Sequence, residues 1–114
     1  MEKFKIEFLP EVAEFLENLE PKAREKIYFN IKKSQVINDS ELFKKLNNHI
    51  WEFRILYSGK AYRLFSFWDI YEKSLVVATH GLIKKTQKTP KKEIEKAEKI
   101  RKEYLDYKKA QNGK

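Results

Sequence analysis

Three apolar runs separated by short turns, residues 51–57, 61–68 and 75–83, constrain this chain more than anything else in it. Each has the length of a strand and is rich in aromatic or β-branched residues, and the stretches between them, Ser58-Gly59-Lys60 and residues 69–73, are polar and turn-forming. Gaps this short cannot carry a crossover, so the spacing predicts an antiparallel three-strand meander. Side chains alternate along a strand. Trp51, Phe53, Ile55 and Tyr57 therefore share one face of the first run and Glu52, Arg54 and Leu56 the other, while Ala61, Arg63, Phe65 and Phe67 lie together in the second.

The first half of the chain reads differently. Residues 2–9 alternate, with Phe4, Ile6 and Phe8 opposite Lys3, Lys5 and Glu7, and predict one further strand. Pro10 suits the first turn of a helix whose stripe is Val12, Phe15, Leu16 and Leu19, and Pro21 opens a second with Ile27, Tyr28 and Ile31. Asn38-Asp39-Ser40 ends this hairpin, and residues 41–48 are expected to form a loop with a helical turn. At the other end Thr89 is placed to cap a helix over about 90–110 that starts at Pro90 and carries a thin stripe of Ile94, Ala97, Ile100, Tyr104 and Tyr107. The order is β-α-α-β-β-β-α. It implies an α+β fold with a small, mainly antiparallel sheet, a helical hairpin packed on one face with the helices gathered there, and the other face free as a concave surface.

At 114 residues the chain is expected to be one domain spanning 1–114, with the C-terminal helix part of it. No apolar run approaches a bilayer span, the N-terminus lacks the apolar core of a signal peptide, and cysteine is absent, so a cytoplasmic location is expected. Two histidines without cysteine are a poor basis for a zinc site, and neither a metal nor a cofactor is expected. The net charge of +8 is concentrated: residues 84–114 hold twelve Lys/Arg against five Asp/Glu. Such a field attracts polyanions.

Lys84-Lys85-Thr86-Gln87-Lys88-Thr89-Pro90 sets lysines at the end of the last predicted strand, and antiparallel pairing brings Arg54 and Arg63 near them. Guanidinium offers paired donors and ammonium a compact charge, so the group has the makings of a phosphate cradle. An arginine set among apolar neighbours requires an anion, and Glu52 and Asp69 are the candidate partners if the arginines serve only to close salt bridges. Adjacent residues of a strand face opposite sides, so only one of Lys84 and Lys85 enters the cleft while the strand lasts. His80 is a weaker candidate proton carrier, since a lone strand histidine is more often structural, and His49 is weaker still. There is no Gly-rich phosphate loop.

In Arg54, in Tyr62-Arg63-Leu64-Phe65 and in the junction from Gly81 to Pro90 followed by Glu93, Ala97 and Tyr104, the chain resembles toxins of the RelE/ParE superfamily, in their HigB-like branch. That resemblance implies a ribosome-dependent mRNA endonuclease of a toxin–antitoxin system, acting without metal by attack of the RNA 2′-hydroxyl on the adjacent phosphate. Its partners are mRNA, the ribosome and a cognate antitoxin with a helix-turn-helix domain. The catalytic positions it implies are Arg63 as phosphate clamp, Arg54, Lys84 and Lys85, with Lys88 holding RNA; to these the residues themselves add His80, last, as a proton carrier and Lys91 and Lys92 as further RNA contacts. Glu52 stands where some members carry a lysine, and its expected role is to position Arg54 rather than to act as a base. Two other functions fit the same residues: a ParE-like inhibitor of DNA gyrase with no nuclease site, and a basic RNA-binding module without catalysis.

Overall fold

Pro10 and Pro21 each occupy the first turn of a helix in the computed structural model of the chain, which describes residues 2–84 and 88–112. The elements run β1 (Lys5–Phe8), α1 (Pro10–Glu17), α2 (Pro21–Val36), β2 (Phe43–Lys45), β3 (Trp51–Tyr57), β4 (Lys60–Trp68), β5 (Leu75–Lys84) and α3 (Lys91–Asn112). The fold is α+β. Five strands lie in the order β1-β5-β4-β3-β2, with β1 parallel to β5 and every other pair antiparallel.

The meander forms as its turns dictate. Ser58 and Gly59 both take positive φ, 51° and 76°, the two-residue turn whose twist matches a tight hairpin. That turn pairs Tyr57 with Lys60, and the register it starts carries Arg54 directly opposite Arg63 and Glu52 opposite Phe65. Between β4 and β5 the register shifts at Phe65/Ser66. The shift leaves Thr79 as an extra residue on β5, a bulge that keeps Val77, His80, Leu82 and Lys84 on one face.

One sheet face packs on α1 and α2. Phe53, Ile55, Tyr62, Leu64, Val76 and Ala78 meet Val12, Leu16, Ala23, Ile27 and Ile31 there, and full burial of such side chains stabilises the fold by about 1.5–3 kcal/mol each. Phe15 lies so close to β5 that a Cβ on Gly81 would meet its ring carbons at 2.3–2.7 Å, which is why glycine stands at that point. Gln35 ties α2 to the N-terminal strand region by donating from Nε2 to the Phe4 carbonyl at 2.8 Å.

Four expectations need correction. Residues 41–48 are more than a loop with a helical turn: the turn closes early, with the Leu42 and Phe43 amides donating to the Asp39 carbonyl at 3.0 Å, and Phe43, stacked on Phe53 at 4.3 Å, opens an edge strand over Phe43–Lys45. The helices do not gather on one face. Phe65, Phe67, Leu75 and Val77 form an apolar patch on the arginine side of the sheet, and α3 covers it with Ile94, Ala97, Tyr104 and Leu105. Tyr107 belongs to the exposed side of α3, and Leu105 takes its place in the stripe. Tyr28 is likewise half exposed, its place on the buried side of α2 taken by Ala23, Ser34 and Gln35.

Candidate active site

Where α3 leaves the sheet uncovered, Arg54, Arg63, Leu56 and Glu41 line a cleft of about 240 Å³. Arg63 comes from β4, the strand buried on both faces, and is only 1% exposed; Arg54, on β3 nearer the sheet edge, keeps 24% of its side chain in solvent. Like charges directly opposite in a sheet repel, and this pair is opposite. The chain answers with Glu52, two residues along β3 on the same face and 2% exposed. Its Oε1 lies 3.4 Å from Nε of Arg63 and 3.7 Å from Nε of Arg54. Neither approach makes a hydrogen bond, and both Nε atoms are buried without a hydrogen-bond partner. Of Glu52 and Asp69, the two candidate partners, only Glu52 serves the arginines.

Lys84 ends β5 in register with Ala61, on the face of Arg63, and is buried. Its Nζ donates to Oγ1 of Thr89 at 3.3 Å, and that hydroxyl in turn donates to Oε2 of Glu52 at 2.7 Å. Thr89 therefore uses its hydroxyl on Lys84 and Glu52 rather than as a helix cap, and Pro90 begins the helix through its carbonyl, which accepts from the Glu93 amide at 3.1 Å. Burial lowers the pKa of Lys84; Glu52 opposes the shift, while Arg63 and Arg54 add to it. Burial also lowers that of Arg63, against Glu52 and with Arg54, but guanidinium starts so high that it stays charged.

Arg54, Arg63 and Lys84 thus come together, whereas His80 does not join them. It is 1% exposed beneath α3, stacked on Phe65 at 4.8 Å, with Nε2 3.1 Å from Oε1 of Glu93 and Nδ1 2.9 Å from Oγ1 of Thr79. Burial lowers its pKa, Lys96 adding to the shift and Glu93 opposing it, so the neutral ring is favoured. With Nε2–H donating to Glu93, Nδ1 of the neutral ring is left as an acceptor and shares the single Thr79 hydroxyl proton with the Phe65 carbonyl, 3.2 Å from Oγ1. Lys88, Lys91 and Lys92 are exposed around the start of α3. Lys85 lies outside the described residues. His49 faces Glu98 of α3 at 3.5 Å, on the exposed side.

Asp69 has a different task. Its side chain is fully buried, with Oδ1 accepting from the Tyr71 and Glu72 amides at 2.6 and 2.9 Å and Oδ2 from the Tyr104 hydroxyl at 2.7 Å, beside Lys108 at 3.3 Å. It anchors α3. Among the described residues no group of three or more His, Cys, Asp or Glu is placed to hold a metal ion, and no helix is long and apolar enough to cross a membrane.

Sequence reasoning passed over Thr89 as the partner of Glu52 and did not see Glu41 at the wall of the cleft. For Glu41 the only signal is its position just before β2, and that strand was itself unread.

A family model described as phage derived protein Gp49-like (DUF891) matches residues 14–102, from the middle of α1 well into α3. The chain belongs to the Gp49-like family. It is thereby a toxin of the RelE/ParE superfamily, of the RelE type. Among solved structures, a chain of the archaeal RelE–RelB complex from Pyrococcus horikoshii OT3 is similar with a TM-score of 0.49 at 8% identity, over 75% of this Gp49-like protein and 99% of that chain. No curated protein matches it in sequence.

Proposed function

We propose that this Gp49-like toxin is a ribosome-dependent mRNA endonuclease of the HigB-like branch, and that residues 1–114 act as one toxin domain in the cytoplasm. The observation that carries the reading is the pair Arg54 and Arg63: two guanidinium groups, one of them wholly buried, share a single carboxylate oxygen at the wall of an open cleft. A buried guanidinium without a full set of partners is costly, and a phosphodiester entering the cleft supplies the missing acceptors.

In this reading the RNA provides the nucleophile. The 2′-hydroxyl attacks its own 3′-phosphate in line, the P–O5′ bond breaks, and a 2′,3′-cyclic phosphate and a 5′-hydroxyl remain. Arg63 and Arg54 bind the non-bridging oxygens, where negative charge grows in the transition state. Lys84, its pKa lowered by burial, hands a proton to the departing 5′-oxygen, and the proton of the 2′-hydroxyl passes to solvent. Lys85 is proposed to work beside Lys84 on the same phosphate, and His80 is held in reserve as a proton carrier that needs α3 to shift. Lys88, Lys91 and Lys92 hold the RNA or ribosomal RNA backbone, and a cognate antitoxin, with a helix-turn-helix domain, keeps the toxin silent.

Expression without antitoxin, with RNA ends mapped by primer extension, tests the reading. Wild-type protein should arrest growth and leave new mRNA ends within translated frames, and Arg63→Ala or Arg54→Ala, expressed to equal levels, should do neither. Growth arrest that survives both substitutions, with DNA-damage signalling and no new RNA ends, would transfer the protein to the gyrase inhibitors.

A further inference from the structure

Glu52 is the acidic group on which the cation cluster turns, and a carboxylate in a phosphate cleft requires a reason. Its surroundings argue against proton transfer. Oε2 is occupied by the Thr89 hydroxyl at 2.7 Å, and Oε1 lies 3.4 and 3.7 Å from the Nε atoms of Arg63 and Arg54, so both oxygens already face groups of the protein rather than a substrate hydroxyl. Both contacts on Oε1 are made by Nε, the inner corner of the guanidinium. Nη1 of Arg63 is spent on the Tyr62 carbonyl at 3.3 Å. Among the described residues no hydrogen bond reaches Nη2 of Arg63 or either Nη of Arg54.

We propose that Glu52 is the positioning residue of the cleft: it holds Arg54 and Arg63 by their Nε corners, leaving outer Nη groups for the phosphate, and is itself locked by Thr89. The inference rests on the endonuclease reading above and adds to it how the clamp is kept in place. The sheet register makes such a device necessary. Arg54 and Arg63 are directly opposite, so without an anion between them each would swing away from the other. Glu52 sits diagonally between the two on the same face, close enough to draw both inward. Thr89 fixes the remaining oxygen and so links the start of α3 to the clamp across 37 positions of sequence.

Two measurements test this, one of which needs no cleavage. Nε–Hε correlations of Arg54 and Arg63 in ¹⁵N NMR should be sharp and slow to exchange with water in the wild type, and broadened or lost in Glu52→Gln and in Thr89→Val. The second variant leaves every charge in place and guards against misfolding of the first. On programmed ribosomes Glu52→Gln should lower single-turnover cleavage by about ten- to a hundredfold, the scale expected when a reacting group is misplaced by about an ångström. Its affinity for a 2′-deoxy, non-cleavable RNA should hold or tighten, because a negative charge has been removed. Thr89→Val should show a smaller loss in the same direction.

Glu52→Gln that cleaves as fast as the wild type or faster would overturn the proposal and make Glu52 a stand-in anion that RNA displaces. A fall in affinity equal to the fall in rate, with both Nε–H signals intact, would overturn it as well. If wild-type protein does not cleave, the endonuclease reading fails by itself, and the NMR signals still decide: unchanged Nε–H exchange in both variants would end the positioning role.

Discussion

Replacing Tyr104 by Phe should loosen α3 from the sheet by an amount that the contacts allow to be worked out. The change keeps the edge-on packing against Phe67 at 5.2 Å and removes only the hydroxyl that donates to Oδ2 of Asp69 at 2.7 Å. No cavity forms. A hydrogen bond to a charged group contributes about 1.5–3 kcal/mol, and the buried Asp69 retains two amides and Lys108, so the loss should fall within that range. For a chain of this length it corresponds to a melting temperature lower by roughly 5–15 °C.

The effect should also depend on pH. Burial pushes the Asp69 carboxyl up, but the Tyr104 hydroxyl, the Glu72 and Tyr71 amides and Lys108 together outweigh it and hold its pKa below the ordinary value. Its stabilisation is present above the ordinary carboxylate pKa of about 4 and is lost as pH falls through the lower folded value. Tyr104 moves the other way: burial first, then Asp69, raise its pKa, so its contribution is present below the ordinary phenol value of about 10 and is lost as pH rises through the higher folded one. The gap between wild type and Tyr104→Phe should be widest between about pH 5 and pH 9 and close at both ends. Circular dichroism melts across that range, with hydrogen exchange along α3, measure it. Melting within about 1 °C of wild type at neutral pH would refute the assignment of Asp69 as the anchor of α3.

Gly81→Ala should destabilise the chain by about 1–3 kcal/mol in urea titrations, since the new methyl meets the Phe15 ring, and Phe15→Val in the same chain should recover part of the loss. If protonated Lys84 is the proton donor, cleavage should fall as pH rises through a pKa below the ordinary lysine value of about 10.4, and Lys84→Arg, which stays charged, should abolish that alkaline fall; an unchanged profile would remove Lys84 from proton transfer. Lys88, Lys91 and Lys92 are exposed, so converting all three to alanine should leave stability unchanged and reduce the slope of log affinity against log salt by about two to three in RNA-binding titrations.

The meander was readable because its signals are local. Once Ser58-Gly59 is taken as a two-residue turn, the pairing of Arg54 with Arg63 follows from the register without further information. Pro10 and Pro21 marked two helix starts equally plainly. Strand β2 was hidden because it is three residues long with one apolar side chain, and only its partner Phe53 makes it a strand. The seat of α3 was misread although a signal existed: Leu64-Phe65-Ser66-Phe67 is nearly continuous in apolar residues, the mark of a strand covered on both faces, and a second layer had to lie over the arginine side. In the candidate site the arginines and Lys84 were visible as residue types in strands. The link from Thr89 to Glu52 was not, because a threonine before a helix is ordinarily read as its cap and the two are far apart in sequence.

Whether the arginine cleft drives attack by the RNA's own 2′-hydroxyl can be settled on ribosomes programmed with a defined mRNA, carrying either ribose or a single 2′-deoxyribose at the mapped cut. Wild-type protein should cut the ribose message, leaving a 2′,3′-cyclic phosphate, and should spare the deoxy message; Arg63→Ala should spare both. A cut that persists at the deoxy position, or in the Arg63→Ala variant, would contradict that chemistry.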